Sequence, residues 1–243
     1  RSYACVPFHL GEELFKERGA ELAALAGKLA REAAGKAERK IKVAGSLPPV
    51  MGSYRPDFFD GTVAQPIIQT LHRALEPYVD IWLAETISSL AEFQSTAAVL
   101  KQADKPVYFS FTLDDDSQTP KLRSGESITQ VVDAVSQTNA TGLMFNCSIP
   151  EIMAAALHEA AETQRRVGSN LQLGVYANKF TPIKSTQDSR SQEIEMREIE
   201  PEGYVEFAKE WQQLGADIIG GCCGIGPEHI SVLNEWRLKR EAY

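Results

Sequence analysis

The stretch "TGLMFNCSIPEIMAAALHEAAETQRRVGSNLQLGVYAN", residues 141–178, reads as one strand–helix–strand unit. Its first part, "TGLMFNCS" (141–148), is short and mostly apolar. It lacks polar alternation, as expected of a strand buried on both faces. "PEIMAAALHEAAETQRR" (150–166) is helical in composition and opens with proline at the first helical position. "LQLGVYAN" (171–178) is a second buried-strand run.

The same unit recurs in both directions along the chain. Strand-like runs are "IKVAGS" (41–46), "YVDIWLAET" (78–86), "PVYFSFTL" (106–113) and "ADIIGGCC" (216–223). Helical patterns occupy 11–40, 90–103, 126–138, 201–215 and 226–242, with a weaker one over 63–76. In the first of these, Leu22, Leu25, Ala26 and Leu29 sit at helical spacing. Strand starts recur about every 35 residues, one βα unit each. This pattern predicts a parallel sheet with helices outside it, either an open doubly wound sheet or a (β/α)8 barrel. No glycine-rich phosphate loop follows the first strand, which weighs against the nucleotide-binding version. A barrel needs eight strands and six are counted. The chain opens near the start of a helix, so the expectation is a single domain, 1–243, lacking one to two N-terminal βα units.

Bulk properties narrow the function. The 243 residues are 43% hydrophobic and 24% charged, ordinary for a globular protein. The net charge of −8 without a basic stripe argues against nucleic acid and anionic membrane as partners. No run approaches the roughly 20 apolar residues of a membrane span. The opening "RSYACVPFHLGEELF" has no secretory pattern. Four cysteines in a chain of this length do not make a disulfide scaffold, and the default is a cytoplasmic location with reduced thiols. There, clustered cysteine points to metal binding or catalysis.

In parallel α/β folds, chemistry gathers where strands end. These strands end on Ser46, Glu85 with Thr86, Thr112 with Asp114, Asn146 with Cys147, Asn178, and Cys222 with Cys223. The cysteine doublet lies in "DIIGGCCGIGP" (217–227). Adjacent cysteines rarely pair with each other, because the ring they would close is strained. Gly220, Gly221 and Gly224 would let the backbone turn so that both sulfurs face one place. Together with Cys147 they outline a catalytic zinc site, three thiolates and one open position. The alternative is that all three pack as small apolar groups. Asn146 and Asn178 either bind substrate or satisfy loop backbone. The run Asp114–Asp116 would either attract a cationic donor or form a solvated loop, and it reads as the latter. His9, His72, His158 and His229 show no metal spacing, and His229 reads as a capping or packing residue. Cys5 is a bystander, and Trp82, Trp211 and Trp236 belong to the core. The polar stretch 179–203 is either a functional loop or a disordered insertion.

"MFNCS" followed by "GADIIGGCCGIGPEHI", with "SYACVPFHLG", "VAGSLPPVMGSYRPD" and "LAETI" in the same order, resembles the homocysteine S-methyltransferase family over essentially the whole chain. The resemblance implies a zinc-dependent (β/α)8 barrel that moves a methyl group to the sulfur of homocysteine, giving methionine. It implies Zn2+ on Cys147, Cys222 and Cys223, with Glu85 holding the amino group of homocysteine. Tyr3 resembles a tyrosine near the metal in some relatives. The partners implied are homocysteine and a methyl donor, with S-methylmethionine or S-adenosylmethionine favoured. Selenocysteine as acceptor and a homo-oligomeric state stay open. The family's opening strand, with its Asp-Gly-Gly-like turn, is absent from this sequence. The rival reading is therefore a barrel that keeps zinc or amino-acid binding without turnover. The chemistry suits the residues: a free thiol ionises near pH 8.5, and a metal removes that proton. Three thiolates over-neutralise zinc, so a fourth sulfur stays electron-rich enough to attack a cationic methyl donor in line.

Overall fold

The computed structural model describes residues 2–183 and 194–241. Helices α1 (Pro7–Leu10) and α2 (Glu12–Gly35) precede β1 (Ala44–Leu47) and α3 (Gly61–Leu75). Strand and helix then alternate: β2 (Ile81–Ile87), α4 (Leu90–Leu100), β3 (Val107–Phe111), α5 (Ile128–Ser136), β4 (Gly142–Asn146), α6 (Pro150–Val167), β5 (Gln172–Tyr176), α7 (Pro201–Gln213), β6 (Ile218–Ile219) and α8 (Pro227–Glu241). Each of the six strands falls on an expected run, and the 63–76 segment is a firm helix capped by the Asp60 carboxylate. The predicted helix 11–40 stops at Gly35, the residue with most backbone freedom to lose.

The sheet is wholly parallel and its order is β1-β2-β3-β4-β5-β6. A sequential order has no point of reversal, which removes the doubly wound alternative. It does not complete the expected eight-stranded barrel either. Among the described residues β1 and β6 each have one strand neighbour, and a closed barrel leaves no strand with only one.

All residues of β3 and β4 are buried, because neighbours flank both their edges and helices cover one face. Alternation sorts the side chains of β2: Trp82 and Ala84 join the core beneath the helices, while Leu83 and Glu85 face a cavity on the other side. Trp82 and Trp211 are fully buried and Trp236 packs against the core from α8. No helix among the described residues is long and apolar enough to cross a membrane.

Candidate active site

A cavity of about 1200 Å³ opens on the inner face of the sheet. Cys147, Cys222 and Cys223 line it, the first just after β4 and the pair just after β6, with β5 between them. The Cys147 sulfur is 2.8 Å from that of Cys222 and 3.7 Å from that of Cys223, and the doublet's own sulfurs are 3.9 Å apart. A tetrahedral metal with bonds of about 2.3 Å to sulfur needs sulfurs about 3.8 Å apart. Two of the three edges match that figure. All three are free thiols, and the three sulfurs lie within 4.8 Å of one another. No histidine joins this group, and Cys5 lies outside it.

Ordinary strand alternation would turn Cys147 away from the cavity, because Asn146 already faces inward. The backbone at Cys147 has φ +52°, a left-handed turn that brings its side chain back inside. Thr86 does the same after Glu85, with φ +61°. Near the end of each of these two strands, two consecutive residues thus turn inward. The Thr86 turn is held by the Asn146 side chain, whose Oδ1 accepts from Thr86 N at 2.9 Å and whose Nδ2 donates to Thr86 Oγ1 at 2.9 Å. Ser110 Oγ donates to the same Oδ1 at 2.8 Å.

The doublet is held differently. Beyond β6 the chain continues along β5 through Gly220 N to Val175 O and Cys222 N to Ala177 O, both 2.9 Å. Tyr204 of α7 pins it from behind, donating to Gly220 O at 2.8 Å and accepting from Ala177 N at 3.1 Å. Gly221 packs so closely on Ile225 that a Cβ there would stand 2.1 Å from Ile225 Cγ2. Gly224 turns the chain at φ +79°.

Without metal, Cys147 and Cys222 hold their protons. The hydrogen bond from Cys222 works to lower the pKa of Cys147, but the hydrogen bond with Cys223, burial and that sulfur's charge outweigh it and push Cys147 up to about 12. Hydrogen bonding within the cluster and burial raise Cys222 as well. The donor set therefore suits a divalent cation, whose charge removes the protons that the site otherwise retains.

Glu85 lines the same cavity. Ser46 Oγ donates to one of its oxygens at 2.5 Å and Tyr176 OH to the other at 3.3 Å. Tyr3 also lines the cavity, its hydroxyl 2.7 Å from Ser53 Oγ. Asn146 and Asn178 are fully buried and do not line it. Asn178 Oδ1 accepts from Phe180 N at 3.1 Å, closing a local turn, while its Nδ2 meets no partner among the described residues. His229 does cap and pack: its Nδ1 accepts from Gly226 N and its Nε2 lies 2.8 Å from Ile199 O.

One expectation is overturned. Asp115, at the centre of the acidic run, is not solvated. Its side chain and that of Arg123 are wholly buried and pair at 3.0 Å, and Asp115 also accepts from Ile149 N and Ile183 N. The paired arginine comes from eight positions onward, so the local run of acids gave no sign of it. Sequence reasoning also missed Tyr54 and Tyr176. Tyr176 was readable in principle, since it shares strand parity with Asn178. Tyr54 sits in the loop after β1, where no periodicity applies. Within 179–203, residues 184–193 lie outside the described residues, while the flanks run antiparallel through Thr181 N to Glu195 O and Arg197 N to Lys179 O.

The family model for homocysteine S-methyltransferase matches residues 1–236. The chain belongs to the homocysteine S-methyltransferase family. Homocysteine S-methyltransferase 3 of Arabidopsis thaliana is 27% identical over 225 residues, covering 82% of this chain and 58% of that protein. The Escherichia coli K12 homocysteine S-methyltransferase is 29% identical over 209 residues, 79% of this chain and 62% of its own length. Among solved structures, the metallated form of the E. coli homocysteine methyltransferase MmuM superposes with a TM-score of 0.74 at 25% identity, covering 97% of this chain and 77% of that one. The chain thus spans about three-fifths of the length of the two curated relatives.

Proposed function

We propose that the chain transfers a methyl group from a sulfonium donor, S-methylmethionine or S-adenosylmethionine, to the thiol of homocysteine, with zinc held by Cys147, Cys222 and Cys223. The observation that carries this reading is the convergence of three thiols, from two strands separated by a third, on a cavity that also holds Glu85. Family membership and the likeness to a metallated relative support it. We also infer that the sheet is part of a (β/α)8 barrel, since a sequential parallel order is the one such barrels use.

Bound zinc would supply what the side chains lack, a way to keep an incoming thiol deprotonated at neutral pH. The remaining work belongs to the chain. Glu85, oriented by Ser46 and Tyr176, offers a fixed carboxylate to the substrate's ammonium group. Tyr3 and Tyr176 present aromatic surface to a cationic donor in the same cavity. Burial holds both phenols well above their ordinary pKa, so they remain neutral hydrogen-bond donors. Methyl transfer between two sulfurs needs no proton moved at the reacting carbon, so positioning is the main demand on these residues.

The test is metal content of the purified protein, then methionine formation from homocysteine with a panel of donors. Glu85→Ala should raise the KM for homocysteine by at least tenfold while zinc content stays near that of the parent. A variant that lost its metal and kept its KM would overturn the role given to Glu85. Zinc binding without turnover on any donor would favour the non-catalytic reading.

A further inference from the structure

Tyr54 touches the thiol cluster, and the sequence reading gave it no role. Its hydroxyl donates to Cys147 Sγ at 3.0 Å. It is buried, and its backbone is left-handed at φ +67°, an uncommon conformation for a bulky residue and one met at functional sites. Arg123 stacks over its ring, the guanidinium carbon 4.7 Å from the centroid. The arginine is itself immobilised, donating to Asp115 Oδ2 at 3.0 Å, Ile183 O at 2.8 Å and Thr112 Oγ1 at 3.1 Å. Thr112 Oγ1 in turn donates to the backbone oxygen of Cys147 at 3.3 Å. Two routes therefore run from Arg123 to Cys147, one to its sulfur through Tyr54 and one to its backbone through Thr112.

Such an arrangement is costly to keep for packing alone. A buried Arg–Asp pair is roughly neutral or unfavourable against apolar residues of similar volume. Three thiolates on a divalent cation carry one net negative charge, and a fourth sulfur adds another. The Tyr54 hydroxyl, donating to one thiolate, offsets part of that charge, while Arg123, itself paired with Asp115, braces the ring.

We propose that Tyr54, braced by Arg123, is a positioning residue that draws charge from the Cys147 sulfur and so tunes both the hold on the metal and the electron density left for the substrate's sulfur. The inference rests on the three cysteines being a metal site. Groups that orient and hydrogen-bond a metal's ligands change affinity or activity by about 10–100-fold when removed.

Cobalt(II) loaded into the full chain reports the sulfur directly, through the sulfur-to-cobalt charge-transfer absorption. Tyr54→Phe keeps the ring and removes only the donor. It should move this band to longer wavelength, because Cys147 becomes more electron-rich, and weaken cobalt binding about 10-fold or more in chelator competition. Arg123→Lys, which keeps the charge and loses the planar fork, should shift the band in the same direction by a smaller amount. It serves as the readout if Tyr54→Phe fails to fold. A merely structural tyrosine would change the melting temperature and leave the band in place. A parent that bound cobalt beside a Y54F variant with the same band and affinity would overturn this inference alone. A parent that bound no cobalt would overturn the metal reading and this inference with it.

Discussion

The two sources of sulfur are built in opposite ways. Cys147 follows β4, five residues long, entirely buried and paired with a strand on each side. Cys222 and Cys223 follow β6, two half-buried residues at the sheet's edge, and are surrounded by glycines. Around Cys147 the chain is held by buried side chains that satisfy one another: Asn146 on Thr86 and Ser110, Thr112 on Ser148, Arg123 on Asp115. Around the doublet it is held mainly by backbone, against β5 and through Lys179 N to Cys223 O, with the Tyr204 hydroxyl and His229 adding side-chain contacts. One half of the site is therefore a rigid platform that the core stabilises. The other half is a strap whose path depends on small residues.

This contrast can be broken by experiment. The largest effect should come from the ligands themselves. Cys147→Ser, Cys222→Ser and Cys223→Ser should each lose bound zinc and methyl transfer, because a neutral hydroxyl is a poor exchange for thiolate. Circular dichroism beside zinc stoichiometry should show the fold retained in all three. Full zinc content in either doublet variant would mean that this cysteine is there for packing.

Next in size is Asn146→Ala, on the rigid half. It strands Thr86 N and Ser110 Oγ in a buried setting, at a cost of about 3–5 kcal/mol. In a chain this long that is a melting temperature lower by roughly 6–20 °C. Gly221→Ala, on the strap, should cost about 1–3 kcal/mol, since Ile225 must move to admit the new carbon. Its larger consequence should be metal loss, as the shift moves the neighbouring Cys222. Metal retained in Gly221→Ala and lost in Asn146→Ala would reverse the assignment of rigid and yielding halves.

A smaller effect, visible only as a pH dependence, belongs to Glu92 on the rigid half. Burial raises its carboxyl from about 4.5 to about 7, against the hydrogen bonds it accepts from Ser88 N and Oγ. The folded state therefore holds this proton more tightly than the unfolded chain. Below pH 4.5 both states are protonated and nothing is lost. As the pH rises from about 4.5 to 7 stability falls, by up to about 3 kcal/mol. Glu92→Gln should remove that slope, so the melting-temperature difference between variant and parent should widen from pH 4.5 to pH 7.5. A difference that stays flat over this range would show that Glu92 titrates alike in both states.

Much of this was legible in the sequence, and the reason is physical. Burial on both faces leaves a strand with an apolar run, and a helix over a sheet leaves a 3.6-residue period, so each element could be read locally. The cysteine set could be read because strand ends mark one side of a parallel sheet. Composition and spacing also carried the class of chemistry, since clustered thiols in a chain with few cysteines have few other uses. What the tertiary structure decided were the relations that cross the chain. The strand order, with two edges and no closure among the described residues, depends on which backbones pair. The inward turn of Cys147 depends on a left-handed φ that no residue type announces. The burial of Asp115 depends on Arg123, and the reach of Tyr54 to the Cys147 sulfur spans 93 positions. Such contacts form because folding brings distant polar groups into a volume without water, where each must find a partner that local sequence does not name.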